Sequence, residues 1–150
     1  MVDSVSYNGA LLVVSGTLDQ WESENTFKFS SCDNSNPGSL VINGTDTNRD
    51  NHCEFGGLLM ICKADDETSP WHNFVTDDTN WVNSEDDTAP CSEQNGFIPA
   101  ASTRGIAFIT DMINAGAKKI WSDTASVSLV GKPSPIGTLF NIKQVLFAKV

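Results

Sequence analysis

The apolar residues of this chain come in short pieces. "ALLVV" at 10–14, "SLVIN" at 39–43 and "GLLMIC" at 57–62 are strand-sized runs with turn-forming residues close by. None approaches the ~18 consecutive apolar residues that a membrane span requires. A continuous apolar run in a strand is apolar on both faces, as buried sandwich strands usually are, so a chain assembled from such pieces builds its core by pairing them into sheets.

Local signals agree. Asn8-Gly9 sits between apolar residues and supplies the two positive-φ positions of a type I′ turn, which predicts a hairpin over "VSYNGALLVV". "TFKFS" at 26–30 alternates, placing Phe27 and Phe29 on one face and Lys28 on the other, while "CDNSNPGS" reads as a loop. Ile106, Ile109, Met112, Ile113 and Ala117 recur at helical spacing and predict one helix over 104–115, with Ser102 or Thr103 as cap and Gly116 as terminator. "IWSDTASVSLVG" and "IGTLFNIKQVLFAKV" read as two long strands joined by "KPSP". Between them and the early strands, residues 64–99 sustain no period and read as a long irregular loop, the kind that has a function or a staple. There is no internal repeat and no linker. The expectation is a single β-rich domain over 1–150, mainly β: an antiparallel β-sandwich or jelly-roll-like fold carrying one α-helix.

Charge is unevenly spread. Residues 1–100 carry seventeen acidic and three basic side chains and residues 101–150 carry two and six, for a net charge of −10. That distribution leaves only the modest run around Lys118 and Lys119 as a cationic footprint, which argues against nucleic acid as a partner and against binding or insertion at an anionic membrane. The start, "MVDSVSYNG", lacks the basic and apolar regions of a secretory signal, which leaves a cytoplasmic protein or a mature domain behind an initiator methionine. Cys32, Cys53, Cys62 and Cys91 are even in number, contain no CxxC, and permit two disulfides in any of three pairings. With the sequon "NGT" at 43–45 they favour an extracellular or secreted protein over a cytoplasmic one.

The stretch "WHNFVTDDTNWVNSEDDT" at 71–88 puts large rings among acids and amides, and no lysine or arginine falls between Lys63 and Arg104. A sugar offers an apolar C–H face and a fringe of hydroxyls, so its receptor needs a flat ring rimmed by Asp and Asn. Trp71 and Trp81 as platforms, with His72, Asn73, Asp77, Asp78, Asn80 and Asn83 at the rim, predict a non-enzymatic, lectin-like protein that binds neutral carbohydrate or glycoprotein glycans. The competing reading buries both rings in the core and leaves the polar residues merely between them.

"DTNRDNHCEFGG" at 46–57 places Asp46, Asn48 and Asp50 at the first, third and fifth positions of a calcium loop. Position twelve is Gly57, so an EF-hand is rejected; a calcium site of another kind, or a self-capping Asx turn, is left. His52 and His72 each have carboxylates nearby in sequence, but no catalytic motif is present and no catalytic residue is assigned. Two alternatives therefore stand beside the lectin reading. One is a small secreted, glycosidase-like hydrolase using paired carboxylates; the other is an acidic interaction or defence protein docking a cationic partner.

Overall fold

The computed structural model describes residues 2–16, 25–31, 33–47, 52–55, 57–93 and 106–134. The fold is mainly β and its pairings are antiparallel. Strands β1 (Val2–Tyr7), β2 (Ala10–Leu11), β5 (Leu40–Thr45), β6 (Trp81–Asn83) and β9 (Ser126–Gly131) form one five-stranded sheet in the order β2-β1-β5-β9-β6. The predicted hairpin joins β1 to β2, with Asn8 at φ 49° and Gly9 at φ 82° in its turn. Period-two alternation decides which face is buried. Leu40, Ile42 and Gly44 of β5 alternate with half-buried residues, as do Val127, Leu129 and Gly131 of β9, and these pair across the strands as Leu40↔Gly131, Ile42↔Leu129 and Gly44↔Val127.

A looser second layer covers that face. Leu58, Met60 and Cys62 are buried at alternate positions, but they belong to a bridged segment rather than the continuous buried strand that the sequence predicted. Leu58 exchanges backbone hydrogen bonds with Ile120 of β8 (Lys119–Trp121), while Cys62 and Met60 bond Phe74 and Thr76. β7 (Cys91–Glu93) pairs with the other side of β8. Buried side chains of both layers meet in one cluster that includes Val5, Ile42, Leu129, Met60, Ile120 and Trp121. Two further short strands, β3 (Val14–Ser15) and β4 (Thr26–Phe27), pair with each other; of the alternating "TFKFS", Phe27 and Phe29 pack against the cluster and Lys28 is exposed.

Three expectations change. The 64–99 segment is not wholly irregular: residues 81–83 are an edge strand of the main sheet and 91–93 a strand of the second layer. "IWSDTASVSLVG" is two strands in two different sheets, broken where Ser122 and Thr124 hydrogen-bond each other and Thr124 donates to the Ser126 carbonyl. The helix is α2 (Ile106–Asn114), closed as expected by Gly116 at φ 91°, whose N–H donates to Ile113 O at 2.9 Å. A single helical turn, α1 (His52–Phe55), was not foreseen. The Ser102 or Thr103 cap and the final predicted strand lie outside the described residues. No described helix is long and apolar enough to cross a membrane.

Candidate functional site

The two tryptophans of the 71–88 stretch face inward. Trp71 is 3% exposed and Trp81 0%, so neither ring is a platform open to solvent. Each buries its apolar area and satisfies its indole N–H on a backbone carbonyl: Trp71 Nε1 donates to Pro37 O at 2.9 Å, Trp81 Nε1 to Val75 O at 3.0 Å. They are rungs of an aromatic ladder. Phe29 and Trp71 meet edge to face at 4.9 Å, Trp71 and Phe74 likewise at 5.0 Å, and Phe74 stacks on Trp81 at 5.7 Å. Tyr7 joins the ladder beside Phe29, and its hydroxyl donates to the same Pro37 carbonyl at 2.7 Å. These rings pin a polar segment to the sheet.

The polar residues between the rings have other work. Asp77 accepts the N–H of Thr79 at 2.9 Å and the Asn80 amide at 2.7 Å, closing an Asx turn. Asp78 accepts from Ser92 Oγ at 2.7 Å and Lys118 Nζ at 2.8 Å, which ties the segment to β7 and to the residue just before β8. Asn83 bonds Thr88 Oγ1 at 3.0 Å across the turn after β6. His72 Nδ1 donates to Ala64 O at 3.1 Å, since a carbonyl can only accept. Asn73 is exposed at φ 57°, a conformation asparagine tolerates better than most residues. The structure thus assembles these residues around one segment, but most are engaged in holding it.

One signal was overlooked in the sequence. Asp33, Asp66, Asp77 and Asp86 each stand two residues before a serine or threonine, and each accepts that residue's backbone N–H at 2.8 to 3.1 Å. At Asp33, Asp66 and Asp86 the hydroxyl donates as well, at 2.6 to 2.7 Å. Much of the acid in this chain is therefore turn chemistry. The hydroxyl and then the amide donors favour the charged carboxylate and hold these three aspartates below their ordinary value of 3.8. A pKa depressed by folding contributes stability above the unfolded value and loses it as pH falls through the folded one. The melting temperature is expected to fall more steeply below pH 3.8 in the natural protein than in Asp66→Asn/Asp86→Asn, because asparagine keeps the Asx turn without titrating; parallel curves from calorimetry would refute this.

The calcium loop is only partly described. Asp46 Oδ2 lies 2.9 Å from His52 Nδ1, with side chains 8% and 16% exposed, so this carboxylate holds a histidine. Asn48 and Asp50 lie outside the described residues. Of the cysteines, Cys53 and Cys91 form a disulfide with a Cα–Cα distance of 6.0 Å. Cys62 is a free thiol, whose burial pushes its pKa up to about 12, so the two disulfides that four cysteines permit are not both formed; Cys32 lies outside the described residues. The sequon asparagine, Asn43, sits in the central strand β5 and donates to Ser4 Oγ at 2.9 Å, a poor position for a glycan on the folded domain. No family model, curated protein or solved structure matches this chain.

Proposed function

We propose that this protein is a non-enzymatic binding domain of an oxidising compartment, and that its acidic turns dock a cationic partner. The observation that carries this reading is the pairing of a ring-anchored segment with acidic tips. Asp65, Asp66 and Glu67 precede Trp71, and Glu85, Asp86 and Asp87 follow Trp81; all six are exposed. Fixed turns present charge without the entropy cost of ordering a loose loop on binding. The Cys53–Cys91 disulfide supports the compartment. Carbohydrate binding through the same segment lost its aromatic platform when both rings proved buried, and its polar rim is largely committed to internal bonds.

The test separates the two. A lysine-rich peptide is expected to bind at low ionic strength and to weaken steeply with added salt, because exposed charges are screened beyond about 8–10 Å at physiological salt. Neutralising the tips as Asp65→Asn/Glu67→Gln/Glu85→Gln/Asp87→Asn should reduce that affinity about tenfold or more while leaving the melting temperature nearly unchanged, since Asp66 and Asp86, which make the turn bonds, stay in place. Peptide binding that ignores these substitutions would sink the proposal. A salt-insensitive hit on a glycan array would restore the carbohydrate reading instead.

A further inference from the structure

We propose that Cys53 and Cys91, once reduced, close with Asp123 on a zinc ion. The two sulfurs and a carboxylate oxygen of Asp123 lie within 4.8 Å of one another, and Asp123 Oδ1 is 3.0 Å from Cys53 Sγ. In the disulfide no proton sits on that sulfur, so the contact is not a hydrogen bond. Two thiolates and a carboxylate are the donors of a zinc site, soft enough to exclude calcium and magnesium. Zn–S and Zn–O bonds of about 2.3 and 2.0–2.2 Å put tetrahedral ligands roughly 3.4–3.8 Å apart, so the sulfurs need only separate from bonding distance while their backbones stay near 6.0 Å. Water takes the fourth position.

A frame independent of the disulfide holds the three ligands. The Asp46 N–H donates to Ala125 O at 2.7 Å, which fixes the turn carrying Asp123. The Asp46 carboxylate holds His52, the neighbour of Cys53 in α1. Cys91 is set by its pairing with Trp121 in β8. Cys53 and Cys91 are partly exposed and Asp123 is exposed, so an ion has access. The chemistry balances in two steps. A phosphine with one water, or a dithiol, supplies two electrons and two protons and the S–S bond becomes two thiols, the phosphine leaving as its oxide with the water oxygen and the dithiol as a cyclic disulfide. Zinc then displaces two protons to form two Zn–S bonds.

The site uses none of the acidic-tip residues and belongs to a reduced form of the chain, so it stands or falls without the reading above. The full chain as Cys32→Ser, reduced with a phosphine under argon, is titrated with cobalt(II) as a spectroscopic stand-in for zinc. One equivalent should give a thiolate-to-cobalt charge-transfer band that zinc bleaches, and zinc should recover melting temperature lost on reduction. The oxidised chain should give no band. Asp123→Asn should keep the band but weaken binding about tenfold or more, since losing a ligand costs no less than losing an outer-shell partner of one. No band in the reduced chain, a band that survives Cys53→Ser/Cys91→Ser, or a reduced chain that zinc neither binds nor restabilises would overturn the proposal. Unweakened binding by Asp123→Asn would remove the carboxylate from the site and overturn it as stated.

Discussion

Replacing Trp81 by alanine is expected to cost about 3–5 kcal/mol, the range for deleting a fully buried aromatic ring, and with it the register of the sheet edge. Trp81 is 0% exposed, stacks on Phe74, and pairs across β6 and β9 with Gly131. The glycine is required by the ring. A Cβ on Gly131 would stand 2.5 Å from Trp81 Cε2 and Cζ2, closer than carbon atoms approach, and a ring packed on all sides has nowhere to go. Gly131→Ala alone should therefore cost about 1–3 kcal/mol or more through overpacking. The decisive measurement is a double-mutant cycle by chemical denaturation. With Trp81 changed to leucine, Gly131→Ala should become much less costly, giving a coupling on the order of 1–3 kcal/mol. Equal costs in both backgrounds would show that the alanine acts elsewhere.

Opening the Cys53–Cys91 bond should be comparably damaging in the absence of metal. The bond closes a loop with a sequence separation of 38, for which loop-closure entropy in the unfolded chain corresponds to about 4 kcal/mol at 25 °C. It ties the turn α1 to β7, whose one strand partner among the described residues is β8. Cys53→Ser/Cys91→Ser should lower the melting temperature by roughly 5–15 °C, since a 1 kcal/mol change moves a domain of this size by a few degrees. Cys62 should not react with a thiol reagent until the protein unfolds, because burial raises its pKa to about 12 and leaves almost no thiolate at neutral pH. An unchanged melting temperature in the double serine variant would mean that the loop is already constrained in the unfolded state.

Local features were the legible part of this sequence. The Asn8-Gly9 turn, the short strand begun at 39–43 and the Gly116 terminator each depend on residues within a few positions of one another, and each formed as read. What failed was whatever depended on distant partners. β6 is three residues long, too short to show a period, and is a strand because Trp81 finds a glycine fifty residues away in sequence to cover. The same holds for Asp123, which nothing in its own neighbourhood connects to Cys53. The tryptophans were ambiguous for another reason: a ring among polar residues suits both an exposed platform and a buried anchor. Recognising the recurrent Asp-x-Ser/Thr turns would have favoured the anchor, since it accounts for the acid and leaves the rings free to pack.

The ladder Phe29–Trp71–Phe74–Trp81 separates what holds the segment from what it shows. Residues 65–67 and 84–87 are exposed tips, while the rings that secure them are buried some positions away. Sequence change at the tips, outside the turn-forming Asp66 and Asp86, therefore costs the core almost nothing, and descendants of this chain are free to diverge there and exchange one partner for another without refolding the domain. For an engineer the same division marks the two tips as grafting positions, where a foreign peptide inherits a rigid mount in place of a floppy tether.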